Sequence, residues 1–540
     1  MGHITDIKII SSLEKIYDED KIPQNSIRHI SLLKNEKKSF QIAIESDADC
    51  ECNVSVNSTF KSIKLYTVKH IKSDLPMSKN GADDYYRFSK SGYYPDLLVP
   101  LGDKTEISKG ITVLWAEIDG KDGQIGVNEI EITVGDKTAL INAEIIDAEL
   151  DFKDFVYTCW FHTDCLMSYY GFDAFSDEYW RVTENFLKTA RGYGMNCVLT
   201  PLFTPPLDTE KSKERPTVQL VDVSLHNGEY SFNFDKLTRW IEMAHRCGVE
   251  YFELSHLYTQ WGARHAPKIM AQTDEGYKRI FGWETKANSK KYKVFLKAFS
   301  TELKKYIEEK GLREKVFIHV SDEPNFSMLI PYSKASKYIH SLFNGYKIID
   351  ALSDVRFYKL KIVTNPIPAN DSVHNFIGMS ENLWTYYCSS QKNHCVSNRF
   401  FCNSSLRTRV LGYQMYKYNI KGFLHWGYNF YYTRFSKALV DPFKISDAGG
   451  QFPSGDSYVV YPAPDGTPYQ SMRLKVFYDA LQDLAALNTL ENLTDRKTCT
   501  DIIEENGKYN ITFKEYPHSD EWLLNTREKV NECIKVNLNS

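Results

Sequence analysis

The run Val316-Phe317-Ile318-His319-Val320 has the continuous apolar character of a buried strand, and it leads directly into Ser321-Asp322-Glu323-Pro324. Two adjacent carboxyl groups at the C-terminal lip of a strand stand at the address where barrel enzymes keep their chemistry. One carboxyl group of such a pair can carry a proton for a leaving group while the other engages a different part of the same ligand. Pro324 disfavours the α region for Glu323, which predicts extended backbone there and diverging side chains. The competing assignment makes Asp322 the cap of a following helix and leaves Glu323 in solvent.

Other predicted strand ends supply groups suited to a sugar. Trp160, His162 and Asp164 follow one strand, Glu253 and His256 another, Trp384, Tyr386 and Tyr387 a third, and His425, Trp426 and Tyr428 a fourth. Asp456 precedes the last predicted strand. Flat apolar walls joined to a few directional hydrogen bonds are what a carbohydrate pocket requires, although each residue taken singly is equally at home in a packed core. Tyr386 or Tyr387 is a candidate donor, Trp384 or Trp426 a candidate floor, and His162, Asp164, His256 and Asp456 are candidates for sugar hydroxyls. Cys388, His394, Cys395 and Cys402 lie close together but lack paired zinc-ligand spacing, and HExxH and G-x-S-x-G are absent. Neither a metal centre nor a cofactor is expected.

The elements that must position these groups read in three parts. Up to about residue 150, period-two alternation recurs, as in Phe40, Ile42, Ile44 and in Ile130, Ile132, Val134. Gly135-Asp136 predicts a hairpin between Glu129–Val134 and Lys137–Ile145, and a β-sandwich is the economical fold for this part. From 151 to 490, short apolar runs alternate with amphipathic stretches. Strands are predicted at Val156–Phe161, Asn196–Thr200, Val249–Leu254, Val316–Val320, Lys361–Thr364, near Phe376 or at Leu383–Tyr387, at Gly422–Trp426 and at Tyr458–Tyr461. Helical stripes lie between them, such as Leu237, Trp240, Ile241, Ala244, with Asp235 as cap. Eight strands alternating with helices predict a (β/α)₈ barrel of the TIM type. Residues 491–540 read as a small α+β tail, a strand pair and a terminal helix packing on the main domains.

Composition narrows the function. A hydrophobic share of 42% with 25% charged residues is globular, and the net charge of −4 is spread along the chain without a basic stripe. This excludes a nucleic-acid footprint, and no apolar run is long enough for a membrane span. Eleven scattered cysteines and an N-terminus without the pattern of a secretory signal point to a reducing, cytoplasmic setting, unless a signal has been trimmed. The 35 Tyr, 30 Phe and 9 Trp offer ample surface for stacking on sugar rings. Oligomeric state is not legible.

Three signatures carry a family resemblance: His319-Val320-Ser321-Asp322-Glu323-Pro324, the Trp-Tyr-Tyr-Cys region at 384–388, and Gly422-Phe423-Leu424-His425-Trp426-Gly427 followed by Gly455-Asp456 and Tyr461-Pro462. Over roughly residues 20–490 the chain resembles glycoside hydrolase family 123, β-N-acetylgalactosaminidases with a β-sandwich ahead of a (β/α)₈ barrel. The resemblance implies a glycan or glycoconjugate ending in β-linked N-acetylgalactosamine as substrate. It further implies Glu323 as general acid/base and Asp322 as the residue that orients the substrate's acetamido group for attack on the anomeric carbon, through an oxazoline-type intermediate and with retention. Two alternatives stand beside it: a retaining glycosidase with Glu253 or Glu381 as nucleophile, and a carbohydrate-binding barrel without turnover.

Overall fold

A computed structural model describes residues 3–24, 26–80 and 82–538. Its centre is a parallel barrel of eight short strands: β1 (Val156–Cys159), β2 (Cys197–Thr200), β3 (Tyr251–Leu254), β4 (Val316–His319), β5 (Lys347–Ala351), β6 (Asn365–Ile367), β7 (Trp384–Tyr386) and β8 (Gly422–His425). Each strand pairs with its chain neighbours, and β1 pairs with β8. The last seam, between β6 and β7, is closed by a single parallel bridge from Ala369 to Tyr386. There Tyr386 N–H donates to Pro368 C=O at 3.1 Å and Asn370 N–H to Tyr386 C=O at 2.8 Å.

The barrel has the expected strand number but a different membership. Lys361–Thr364 is a turn, with Lys361 at φ +55°, and its apolar pair Ile362 and Val363 is buried without being a strand. Two strands are missing from the prediction: β5, whose apolar run is interrupted by the buried Asp350, and β6, which begins just past Lys361–Thr364. Tyr458–Tyr461 leaves the barrel altogether. Val460–Pro462 pairs with Pro468–Ser471, which hydrogen-bonds to Gly92–Pro100 in the N-terminal part.

That N-terminal part is a sandwich of a seven-stranded and a four-stranded sheet. Phe40, Ile42 and Ile44 from the first meet Ile130, Ile132 and Val134 from the second in one core. Val134 pairs with Lys137 across the Gly135-Asp136 turn, and Gly135 takes φ +61°, which suits the first position of a type II′ turn.

The helical stripes are where the periodicity puts them, in Asp235–Arg246, Lys290–Glu309 and Met472–Leu493. Asp235 is the first helical residue and is not the cap, its N–H being taken by Asn233 Oδ1 at 2.8 Å. Met472–Leu493 is buried on nearly every side, charged residues included. Arg473 forks onto Asp96 at 2.7 and 2.8 Å, Lys475 reaches Glu117 at 2.7 Å, and Asp483 takes Arg409 at 2.7 and 2.8 Å. The helix therefore fastens barrel to sandwich through paired charges as well as apolar contact.

Among the described residues the tail has no strand pair. It consists of Arg496–Ile503 and Asp520–Leu538, and Arg527 on the latter reaches Glu36 at 2.7 Å. Among the described residues no helix is long and apolar enough to cross a membrane.

Removing one partner of a buried pair strands the other charge, at a cost of about 3–5 kcal/mol. Arg473→Met should therefore lower the urea midpoint of unfolding substantially, since Asp96 keeps only the Tyr461 hydroxyl besides. An unshifted midpoint would show that Asp96 finds water or another donor.

Candidate active site

The loops at the C-terminal ends of the strands enclose a cavity of about 280 Å³, and Asp322 and Glu323 both line it. The volume is at the small end of ligand pockets, of a size for one sugar ring and not for a chain. Both carboxyl groups reach the same space because of a backbone feature opposite to the expected one. Glu323 sits at φ +41°, in the left-handed region that non-glycine residues seldom occupy. Its N–H donates to Ala351 C=O at the end of β5 (3.1 Å), and Asp322 C=O accepts Trp261 N–H (3.0 Å), so neighbouring loops hold the turn. Asp322 does not cap the next helix, and the short turn at Phe326–Met328 is capped by Asn325. The Tyr386 hydroxyl donates to Glu323 Oε1 at 2.7 Å.

Beneath the pair lies a buried ionic cluster. His319 Nε2 donates to Glu253 Oε1 at 2.5 Å, and its Nδ1 faces Asp350 Oδ1 at 3.4 Å. Glu253 also accepts from Thr158 Oγ1 (2.5 Å) and Trp160 Nε1 (2.7 Å). Asp350 accepts the Val320 and Ser321 N–H groups at 3.0 and 3.2 Å and the Tyr332 hydroxyl. Burial pulls the His319 pKa down, but the bonds and charges of Asp350 and Glu253 outweigh it and set it at about 9. His319 is thus an imidazolium at neutral pH. Burial and then the charge of Glu323 push Asp322 well above the usual carboxylate range, with His319 pulling against them. Burial also raises Glu323, against the Tyr386 hydrogen bond. Two carboxyl groups in these circumstances titrate as a unit and keep a proton to higher pH than a free carboxylate would.

Of the eleven other candidate residues, Trp160, His162, Tyr386 and Trp426 form part of the cavity wall. His162 is neutral, held well down at about 3 by burial and by Arg215. Its Nδ1 accepts from Arg215 (3.1 Å) and its Nε2 donates to Trp426 C=O (2.8 Å), so both nitrogens are already engaged. The remaining seven lie off the wall, each for a packing reason. Asp164 is locked in a fork with Arg215 at 2.7 and 2.8 Å. His256 stacks on His319 with ring centres 4.2 Å apart, and burial and that cation keep it neutral. Trp384 fills the barrel interior against Phe317, and Gly422 is needed beside it because a Cβ there would come within 2.4 Å of the indole. Tyr387 packs on Phe423 and His425, and the Tyr428 hydroxyl donates to Phe186 C=O at 2.9 Å. His425 Nδ1 accepts Gly427 N–H at 3.0 Å. Asp456, raised to about 7 by burial, accepts Trp426 Nε1–H at 3.2 Å and so supports the wall from behind.

Several wall residues had no sequence signal, namely Asp208, Gln260, Trp261, Phe430 and Arg434, while Cys388, weighed in the sequence only as a metal ligand and as part of the 384–388 signature, also lines the wall. They sit on aperiodic loops, where only the fold decides which side chains meet. Asp208 is the one further carboxyl group in the wall, raised to about 6 by burial against a bond from Phe435 N–H (2.8 Å). Burial holds Cys388 well above the normal thiol range, so it is no thiolate nucleophile. Glu253 is fully buried with both oxygens engaged, and Glu381 is exposed at the start of β7, the end of the barrel opposite the cavity.

A (β/α)₈ barrel with paired carboxyl groups on the lip of β4, in a small aromatic-walled cavity, is the architecture of a barrel glycosidase. The family model of the glycoside hydrolase 123 catalytic domain matches residues 160–490, more than half the chain, and the chain belongs to that family. A solved structure of a family 123 glycoside hydrolase from Clostridium perfringens, described for its glycolipid glycan hydrolysis, superposes with a TM-score of 0.73 at 16% identity, over 99% of this chain and 98% of that one. An FMN-binding β-glucuronidase from Facaelibacterium prausnitzii L2-6 (8% identity, 82% of this chain and 59% of that one) and a cyclomaltodextrinase (9%, 84% and 83%) reach only 0.33 and 0.32, too low to carry an argument. No curated protein sequence matches significantly.

His319 yields a test of the cluster. Its folded pKa of about 9 lies above the ordinary 6.5, so its stabilisation is fully present below pH 6.5 and lost as pH rises towards 9. The excess stability of wild type over His319→Gln should shrink across that window by roughly 3 kcal/mol. A constant difference in denaturant titrations from pH 6 to 9.5 would mean that His319 is neutral.

Proposed function

We propose that the protein releases terminal β-linked N-acetylgalactosamine from glycoconjugates, glycolipid glycans among them, with retention and through an oxazoline-type intermediate made by the substrate itself. The observation that carries this reading is that the consecutive residues Asp322 and Glu323 share one cavity sized for a single sugar. A nucleophilic carboxylate has to stand across the glycosidic bond from the acid, about 5–5.5 Å away on a separate part of the wall, whereas adjacent carboxyl groups suit an acid and an acetamido partner. Neither Glu253 nor Glu381 is available as that nucleophile, for the reasons of burial and position given above. The preference for the galacto sugar rests on family membership and on no single residue.

In the first step Asp322, as carboxylate, accepts the acetamido N–H and turns the carbonyl oxygen towards the anomeric carbon. The carbonyl oxygen forms its bond to that carbon as the glycosidic C–O bond breaks, and Glu323 gives its proton to the departing oxygen. In the second step Glu323, now a carboxylate, takes a proton from water as the water oxygen bonds to the anomeric carbon. The oxazoline C–O bond breaks and the acetamide is restored. Burial and mutual repulsion raise both members of the pair, with His319 only partly offsetting the rise at Asp322, so the pair as a unit retains a proton near neutrality, and an acetamido N–H bound at Asp322 favours leaving that proton on Glu323. Trp426 and Trp160 supply apolar walls, and Tyr386 is in place to bond the acetamido oxygen or Glu323 itself.

Aryl β-N-acetylgalactosaminide should be hydrolysed in preference to the N-acetylglucosaminide, and a galactoside without an acetamido group should not be cleaved. Glu323→Gln should reduce kcat/KM by about 10²–10⁴, with a smaller loss for activated leaving groups, and should abolish the basic limb of the pH profile. Asp322→Asn should slow every leaving group. Turnover of the plain galactoside, lost in Asp208→Asn and trapped covalently by a fluorinated sugar, would replace substrate assistance by nucleophilic attack from Asp208.

A further inference from the structure

A larger concavity opens on the flank of the barrel between the helices Lys290–Glu309 and Leu329–Leu342, with a volume of about 700 Å³. Five cationic side chains line it, Arg264, Lys286, Lys293, Lys334 and Lys337, and no carboxylate does. Among the described residues none of the five makes an ion pair. Their one side-chain contact of note is Lys293 Nζ over the Tyr338 ring at 5.5 Å. This stands out in a chain whose net charge is −4, and clustered like charges repel one another when nothing neutralises them.

Helix stability does not explain the arrangement. Lys290, Lys291 and Lys293 crowd the start of a twenty-residue helix whose first turn contains no acid, which sets positive charge against the positive end of the dipole. The facing helix, LIPYSKASKYIHSL, has no acidic residue at all. Charge placed at a cost to the fold and left without a protein partner is suited to an external anion.

Shared wall residues also set the cleft one hollow away from the catalytic cavity. That cavity shares Gln260 and Trp261 with an intermediate hollow of about 420 Å³, whose wall also includes His265, Trp283 and Phe435. The hollow in turn shares Arg264 with the basic cleft. The sugar-sized cavity, a hollow with aromatic faces that can stack on sugar rings, and the unpaired cations thus lie in series, each sharing wall residues with the next.

We propose that the basic cleft binds anionic groups, sulfate or carboxylate, borne by the aglycone part of the glycan whose terminal sugar occupies the catalytic cavity. The proposal deepens the function given above and rests on it for the occupant of that cavity. A recess between two helices admits a side group of a glycan, whereas the plane of a lipid bilayer cannot enter it. Arginine and lysine act there as charge partners for sulfate or carboxylate, and the contribution is sensitive to salt.

The test uses the full chain and Lys334→Glu/Lys337→Glu, both positions being exposed on a helix surface. Two substrates with the same terminal sugar are compared, one with a sulfated and one with a neutral aglycone. The ratio of kcat/KM, sulfated over neutral, should fall roughly tenfold in the variant, mainly through KM, and should fall in wild type as salt rises. Lys297→Glu/Lys305→Glu, which carries the same charge change at exposed positions of the Lys290–Glu309 helix off the cleft wall, should leave the ratio in place. Binding of a sulfated hexasaccharide without a terminal N-acetylhexosamine is measured by calorimetry in parallel. If it binds wild type and not the cleft variant while no N-acetylgalactosaminide is cleaved, the cleft stands and the functional reading falls. An unchanged substrate ratio together with equal hexasaccharide binding by both proteins overturns the cleft. Binding to phosphatidylserine vesicles in place of the hexasaccharide also overturns it.

Discussion

The ionic contact of His319 with Glu253 and Asp350 is the constraint on which the catalytic end of the barrel depends. Three neighbouring strands each send one ionisable side chain into the interior, and a lone charge at any of those sites would be costly. Together, with the hydroxyls of Thr158 and Tyr332 and the Trp160 indole, they satisfy one another. Asp350 does double service by taking the N–H groups of Val320 and Ser321, so the same carboxylate that faces His319 also fixes the chain just ahead of Asp322. Charge balance and backbone position are thereby set by one group of atoms, and the catalytic pair inherits both.

Much of this was legible in the sequence wherever a local pattern had a local cause. Asp322 and Glu323 stand out because a continuous apolar run ends in them, and β1, β2, β3, β4 and β8 are recognisable for the same reason. The hairpin at Gly135 and the helical stripes follow from turn chemistry and from periods of two and 3.6. The failures have causes of their own. β5 is hidden because Asp350, an ionic residue, sits in the middle of a buried strand, and the bond that makes it tolerable comes from residues some thirty positions away. Val460–Pro462 looks like any buried strand, and nothing in its three residues says which sheet it will join. The aromatic residues Trp384, Tyr387 and Tyr428 have the composition of a sugar site, yet interior packing and a backbone hydrogen bond claim them.

The conformation of Glu323 was misread for a physically informative reason. Pro324 excludes the α region for the residue before it, and extended backbone is the ordinary response. Left-handed backbone is the uncommon one, available here because Ala351 C=O and Trp261 N–H hold both sides of the turn. Strain of this kind, of order 1–3 kcal/mol, persists only where surrounding structure over-determines it. At this position it aims two successive carboxyl groups into one space, which an extended dipeptide would send apart.

The strand pair Val460–Pro462 and Pro468–Ser471 gives the chain an order of assembly. The sandwich is encoded first and leaves the ribosome first, yet its larger sheet lacks two of seven strands until residue 471 has been made. Until then the edge at Gly92–Pro100 presents unpaired backbone groups, the usual template for mispairing between nascent chains. Barrel and sandwich thus mature together: the segment that completes the first domain is delivered only after the last barrel strand, and the helix that follows it, Met472–Leu493, brings the charges that lock the two.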